Sequence, residues 1–131
     1  MKFSVSLPTG FEGVMYPVPF VDPSDFVRMA KRCEAGQSWN WDGVRFDVLH
    51  PFESDYRSFG KPNAVSCVLR IDNGRASALL AGDIERLQET ALLIRTPQLL
   101  RADVLLAPHH GSKTSSGAAF LDAVQPRIVF V

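Results

Sequence analysis

The chain has 131 residues, of which 46% are hydrophobic and 21% charged, with 14 basic and 14 acidic side chains cancelling to a formal net charge of zero. Those proportions describe a globular domain able to bury a core, and they exclude a disordered chain. The neutral balance also excludes a generally basic surface, so a nucleic-acid partner would have to meet a local patch or a metal.

No apolar run approaches the ~20 residues of a membrane span, and the amino terminus lacks the basic-then-apolar pattern of a signal peptide. Residues 1–36 read as irregular, because prolines at 8, 17, 19 and 23 interrupt any pattern. One short helix is expected there, from Ser24 as N-cap to Arg32. Gln37-Ser-Trp-Asn-Trp41 and Val44-Arg-Phe-Asp-Val-Leu49 then alternate around Asp42-Gly43. This is a hairpin signature, since a two-residue type I′ turn needs positive φ at both positions. Trp39 and Trp41 share one strand face, where packing is the commoner role than base stacking. A polar loop with Gly60 and Pro62 leads to a second hairpin, Val65–Ile71 and Ala76–Ala81, around Asp72-Asn73-Gly74.

From there strands and helices alternate. Ile84, Leu87, Ala91 and Ile94 are spaced along one helical face, with Asp83 placed to cap the helix. Asp103-Val-Leu-Leu-Ala107 reads as a short buried strand. A helix opened by Ser115 or Ser116 carries Phe120, Leu121 and Val124 and stops at Pro126. Arg127–Val131 is a last strand, apolar and without a turn after it, an edge that marks the chain as a fragment of a larger fold. The fold class is α/β: antiparallel hairpins followed by β-α-β-α-β, a sheet covered by helices.

The two cysteines, Cys33 and Cys67, are too few for structural zinc. Cys67 reads as a core residue of an apolar strand. A Cys33–Cys67 disulfide is the sharper alternative and would imply an oxidising compartment. His50, before Pro51, reads as a loop residue, and Arg70, Arg75, Arg95 and Arg101 are scattered.

Ligands of parallel β-α-β units collect beyond the carboxyl ends of the strands. Two such ends carry Gly82-Asp83 and Pro108-His109-His110-Gly111-Ser112. On neighbouring strands, about 5 Å apart, a carboxylate and imidazoles would converge, with glycines leaving room for substrate. Oxygen and nitrogen donors suit zinc, manganese or iron, and a bridging carboxylate can hold two metals that activate water for phosphodiester hydrolysis. The plainer alternative makes Asp83 a helix cap and His109-His110 a polar loop. Ser112, Lys113, Thr114 and Ser115 lie between a strand and a helix, where amides and hydroxyls can cradle phosphate. The spacing is not that of a Walker loop. Ser112 next to a histidine in sequence is likewise no serine-hydrolase elbow.

Four strings resemble the ComEC family of competence proteins: residues 33–51, Asn63-Ala-Val-Ser-Cys-Val-Leu-Arg70, Leu79-Leu-Ala-Gly-Asp-Ile-Glu85 and Ala107-Pro-His-His-Gly-Ser-Lys-Thr-Ser-Ser116. The match spans 33–131, with 1–32 as an irregular lead-in to a single partial domain. The resemblance implies the carboxyl-terminal half of a metallo-β-lactamase-like αββα sandwich. Such a domain would be soluble and extracytoplasmic (periplasmic), attached to a membrane channel protein that imports single-stranded DNA. Asp83 matches that family's metal-bridging aspartate and His110 the histidine after the next strand. His109 is then an outer group or alternative ligand. Asn63 stands where relatives in the wider superfamily place a histidine. An amide there is a poorer ligand, which weakens one metal site or favours manganese over zinc. The main H-x-H-x-D-H motif is absent, and histidines occur at 50, 109 and 110 alone. The chain by itself is therefore expected to be inactive. Two functions follow: part of a metal-dependent DNA phosphodiesterase, or a silent DNA-guiding or channel-docking module. Hydrolysis of a small phosphorylated or lactam substrate stands as a third, because fold alone does not fix function.

Overall fold

A computed structural model describes residues 32–58 and 61–131. The helix expected from Ser24 and the loop position Gly60 lie outside the described residues. Six strands form one sheet whose spatial order is the chain order: β1 (Ser38–Trp41), β2 (Val44–His50), β3 (Val68–Asp72), β4 (Ser77–Leu80), β5 (Val104–Leu106) and β6 (Ile128–Phe130). The first four are antiparallel, and β4, β5 and β6 run parallel. Among the described residues three α-helices accompany them: α1 (Glu53–Arg57), α2 (Arg86–Arg95) and α3 (Ala118–Val124).

The first hairpin closes as its turn residues dictate, with Asp42 at φ 49° and Gly43 at φ 75° and Trp41 opposite Val44. Across it Trp39 stacks on Phe46, ring centroids 5.1 Å apart. In the second hairpin β3 starts at Val68, three residues later than the apolar run predicts, because Pro62–Val65 winds into a 3-10 turn. Asp72 accepts from the Gly74 amide at 2.7 Å and pairs with Arg70 at 2.7 Å. The amide first, and then the guanidinium, hold its carboxyl below the ordinary carboxylate range.

The register sorts the side chains onto two faces. One face carries Leu79 and Leu105, fully buried with Leu49 and Val68 beneath Leu92 of α2 and Phe120 and Val124 of α3. The other carries two apolar rows, Phe46–Ile71–Ala78–Val104–Ile128 and Val48–Leu69–Leu80–Leu106–Phe130. At its β2 end this second face is closed, with Val48 4% exposed, but at its β5–β6 end Leu106, Ile128 and Phe130 remain 42, 52 and 58% exposed.

Helix α2 departs from the expected pattern. It begins at Arg86 behind Glu85, whose amide donates to Gln88 Oε1 at 3.1 Å, so Asp83 is not its cap. Leu87 and Ile94 point outward, 81 and 76% exposed, while Glu89 and Leu92 are buried. Glu89 explains the inversion. Its carboxylate accepts from the amides of Ser116 and Gly117, supplying the negative charge that the start of α3 favours. Helix α3 accordingly starts at Ala118 behind Gly117, with neither predicted serine as its cap.

Cys67 is exposed, precedes β3 rather than lying in it, and is bonded to Cys33 with a Cα–Cα distance of 5.8 Å. The core-residue reading is therefore replaced by the disulfide. Closing a loop of this length stabilises a chain by about 3–4 kcal/mol on the chain-entropy account. His50 is no loop residue either. It ends β2 almost fully buried, with Nε2 2.8 Å from the Ala64 carbonyl and Nδ1 3.4 Å from Asp55.

Candidate functional site

Strands β4 and β5 are parallel neighbours, with Leu80 opposite Leu106, so the segments after their carboxyl ends lie side by side. A hydrogen bond from the His109 amide to the Gly82 carbonyl, 2.9 Å, ties them together. At Gly82, φ is 58°, and an added Cβ would stand 2.5 Å from Ser66 Oγ and 2.9 Å from the Cys67 carbonyl. The missing side chain thus makes room for the chain's own backbone, and not for a substrate. Ser66 Oγ also accepts from the Asp83 amide at 2.8 Å, which fixes the carboxylate's starting point.

His109 and His110 both take left-handed backbone conformations, at φ 48° and 52°, and Gly111 follows at φ 71°. Two non-glycine residues in that region cost of order 1–3 kcal/mol each, so the surrounding bonds must hold this turn. Ser115 does part of that. It is buried, and its hydroxyl donates 2.7 Å to the Pro108 carbonyl and 3.0 Å to that of Ser112. It therefore braces the loop instead of facing a ligand. The two amides that open the following helix, of Ser116 and Gly117, are bound by Glu89, which leaves Ser112, Lys113 and Thr114 as the surface part of the expected cradle. Ser112, Lys113 and Thr114 stay on the surface, with Ser112 Oγ 3.2 Å from Thr114 Oγ1.

Because the turn is left-handed, the two imidazoles diverge. His110 Nε2 lies 3.4 Å from Asp83 Oδ1, in a pair whose side chains are 85 and 46% exposed. His109 is enclosed by partners. Its Nε2 is 3.5 Å from Asn63 Nδ2, and its Nδ1 is 3.2 Å from Thr114 Oγ1 and 3.5 Å from Glu85 Oε1. The sequence-predicted residues Asp83, His110, His109 and Asn63 do meet on one edge, but as two separate pairs. Glu85, the extra acid here, was missed by sequence reasoning, although it stands two positions after Asp83.

A metal centre wants about four donors around one point. Asp83 and His110 offer two, and among the described residues no three of His, Cys, Asp and Glu converge. The described residues therefore fit part of a metal site and not a whole one. They can present an exposed carboxylate–imidazole pair, whose oxygen and nitrogen lone pairs suit a cation or a hydrogen-bond donor.

No family model matches the chain. Curated proteins do. Over 102 residues the chain is 42% identical to the competence protein ComA of Neisseria gonorrhoeae, covering 78% of this chain and 14% of the relative. Over 96 residues it is 40% identical to the uncharacterized protein YcaI of Escherichia coli strain K12, covering 73% of this chain and 12% of the relative. Over 99 residues it is 39% identical to recombination protein 2 of Haemophilus influenzae, covering 76% and 12%. The chain thus spans roughly an eighth of the length of these relatives. No helix of the described residues is long and apolar enough to cross a membrane.

Proposed function

We propose, taking the similarity to competence and recombination proteins as premise, that this chain is a segment of a DNA-uptake channel protein of the ComEC kind. In this reading it forms the carboxyl-terminal half of a metallo-β-lactamase-like αββα domain that hydrolyses DNA phosphodiesters. The fold part of the reading is supported by the uncovered apolar rows, because a sheet face so composed calls for a second sheet laid against it. The chemical part rests on one observation above the others: Asp83 and His110 facing each other, exposed, at the carboxyl edge of adjacent parallel strands. They are proposed as two of the donors for manganese or zinc, the remainder coming from outside the described residues. The Cys33–Cys67 bond supports an extracytoplasmic position, where thiols oxidise. Two free thiols on protein taken from its native compartment would overturn that placement.

A second reading, a silent module that guides DNA or docks on the channel, is favoured by Asn63. Its amide faces His109 at 3.5 Å, where an imidazole would have served a metal better. One experiment separates the two. The full-length protein is assayed for cleavage of single-stranded DNA with and without manganese, beside Asp83→Asn. Hydrolysis is expected to need metal and to fall in the variant by more than the 10–100-fold that loss of an outer-shell partner costs. Cleavage unchanged in Asp83→Asn sinks the assignment of that residue. DNA binding with no cleavage by the unaltered protein selects the guiding module.

A further inference from the structure

The parallel strands have a second end. Opposite the Asp83 edge, β4, β5 and β6 begin at Ser77, Val104 and Ile128, and a cavity of about 290 Å³ lies around those starts. Arg70 from β3, Arg101 ahead of β5 and Arg127 immediately ahead of β6 all line it, together with Ser77, Gln125 and a single acid, Asp103. The three arginines come from separate stretches of sequence, and only the sheet topology gathers them.

Their bonding leaves positive charge in excess. Asp103 is engaged by its own chain, Oδ2 accepting from the Ser77 amide at 2.8 Å and the Ser77 hydroxyl at 3.3 Å. Arg70 pairs with Asp72 at 2.7 Å, while its Nε is buried with no acceptor among the described residues. Arg101 donates from Nη1 to the Gln125 amide oxygen at 2.9 Å. Arg101 and Arg127 are exposed, and neither forms an ion pair among the described residues. A guanidinium is a planar fork of N–H donors matched to phosphate oxygens, and it stays charged at any physiological pH. The volume is at the small end for ligand sites, room for one phosphate and its sugar but not for a dinucleotide cofactor.

We propose that this cavity is an anion subsite holding a backbone phosphate of a single DNA strand. The choice of DNA rests on the function proposed above; the phosphate chemistry rests on the arginines. At about 3.3 Å per residue the two ends of the four-residue β4 are roughly 10 Å apart. A strand held here therefore has only a short path to the Asp83 edge.

The test is fluorescence anisotropy of a labelled single-stranded oligodeoxynucleotide with the 131-residue chain, in chelator, over a range of salt. Arg101→Ala/Arg127→Ala is compared with Arg32→Ala/Arg57→Ala, which removes the same charge elsewhere. The cavity pair is expected to weaken binding about tenfold and to flatten the slope of log affinity against log salt by about 1.4, at about 0.7 per lost contact on a single strand. The control pair is expected to change affinity less than twofold. Equal losses in both pairs indicate diffuse attraction and overturn the proposal, as does no loss in the cavity pair or no binding by the unaltered chain. Inorganic phosphate titrated alone distinguishes the source: phosphate that binds while the oligonucleotide does not overturns DNA as the ligand. Hydrolysis is scored separately in the full-length protein. Absent cleavage with intact, arginine-dependent binding counts against the nuclease reading and not against this subsite.

Discussion

On one face of the sheet Leu105 is fully buried, while the next residue along the same strand, Leu106, is 42% exposed on the other. Both faces are apolar, so hydrophobicity alone does not decide which is sealed. The connections decide it. The crossovers from β4 to β5 and from β5 to β6 carry α2 and α3, and two successive crossovers of one hand, moving the same way across a sheet, must lay their helices on one side. The face they leave bare keeps a composition suited to contact with something else. The contrast teaches that apolar residues on both faces of a strand are not sealed alike, and that the side taken by the helices decides which face is buried.

The sharpest way to break this contrast is to truncate one phenylalanine on each face. Phe120→Ala, on the buried side of α3, is expected to cost about 3–5 kcal/mol of unfolding free energy. Phe130→Ala, at a site 58% exposed, is expected to change it by about 0.5 kcal/mol or less. Urea unfolding of both variants checks this, and comparable losses would mean that the second face is covered in solution.

A smaller effect sharpens the same contrast from the covered side. His50, opposite Val68 in the register, is sealed on the helix-bearing face, and burial pushes its pKa below the ordinary 6.5. The Ala64 carbonyl and then Asp55 oppose the shift, and Arg95 adds to it. The unfolded chain therefore binds the proton more readily than the folded one. The stability tied to neutral His50 is fully present above about pH 6.5 and is lost as pH falls from there towards the folded pKa. Thermal midpoints between pH 5 and 8 should decline on the acid side, and should decline less in His50→Gln. An identical acid-side decline in both proteins would place the pH sensitivity elsewhere.

The first hairpin was legible because its cause is local: Asp42-Gly43 carries the positive φ angles that the turn requires. The parallel neighbours β4 and β5 were legible from strand-helix alternation, and with them the meeting of Asp83 with His110. The inner face of α2 was not. A stripe of Leu87, Ala91 and Ile94 reads as the core side, and nothing in the local spacing reveals that Glu89 must face inward to bind the start of a helix 27 residues later. His50 was misread for a similar reason, since its partner Ala64 is set by a 3-10 turn. The left-handed backbone at His109 and His110, which sends one ring to Asn63 and the other to Asp83, leaves no mark in residue type. The arginine cavity was invisible altogether, being assembled from three strands' ends.

The order of the strands has a bearing on how the molecule is made. Among the described residues each strand of the sheet lies beside the one synthesised just before it, so none of these strands waits for a partner beyond its neighbour in the chain. The two tight hairpins close the shortest loops, while β2–β3 and the parallel pairs join residues 18 to 27 apart and carry the larger loop-closure cost. A ribosome feeding this chain out amino end first presents a growing edge that always accepts the next segment to emerge. Assembly is then a vectorial process, with the latest strand as its template.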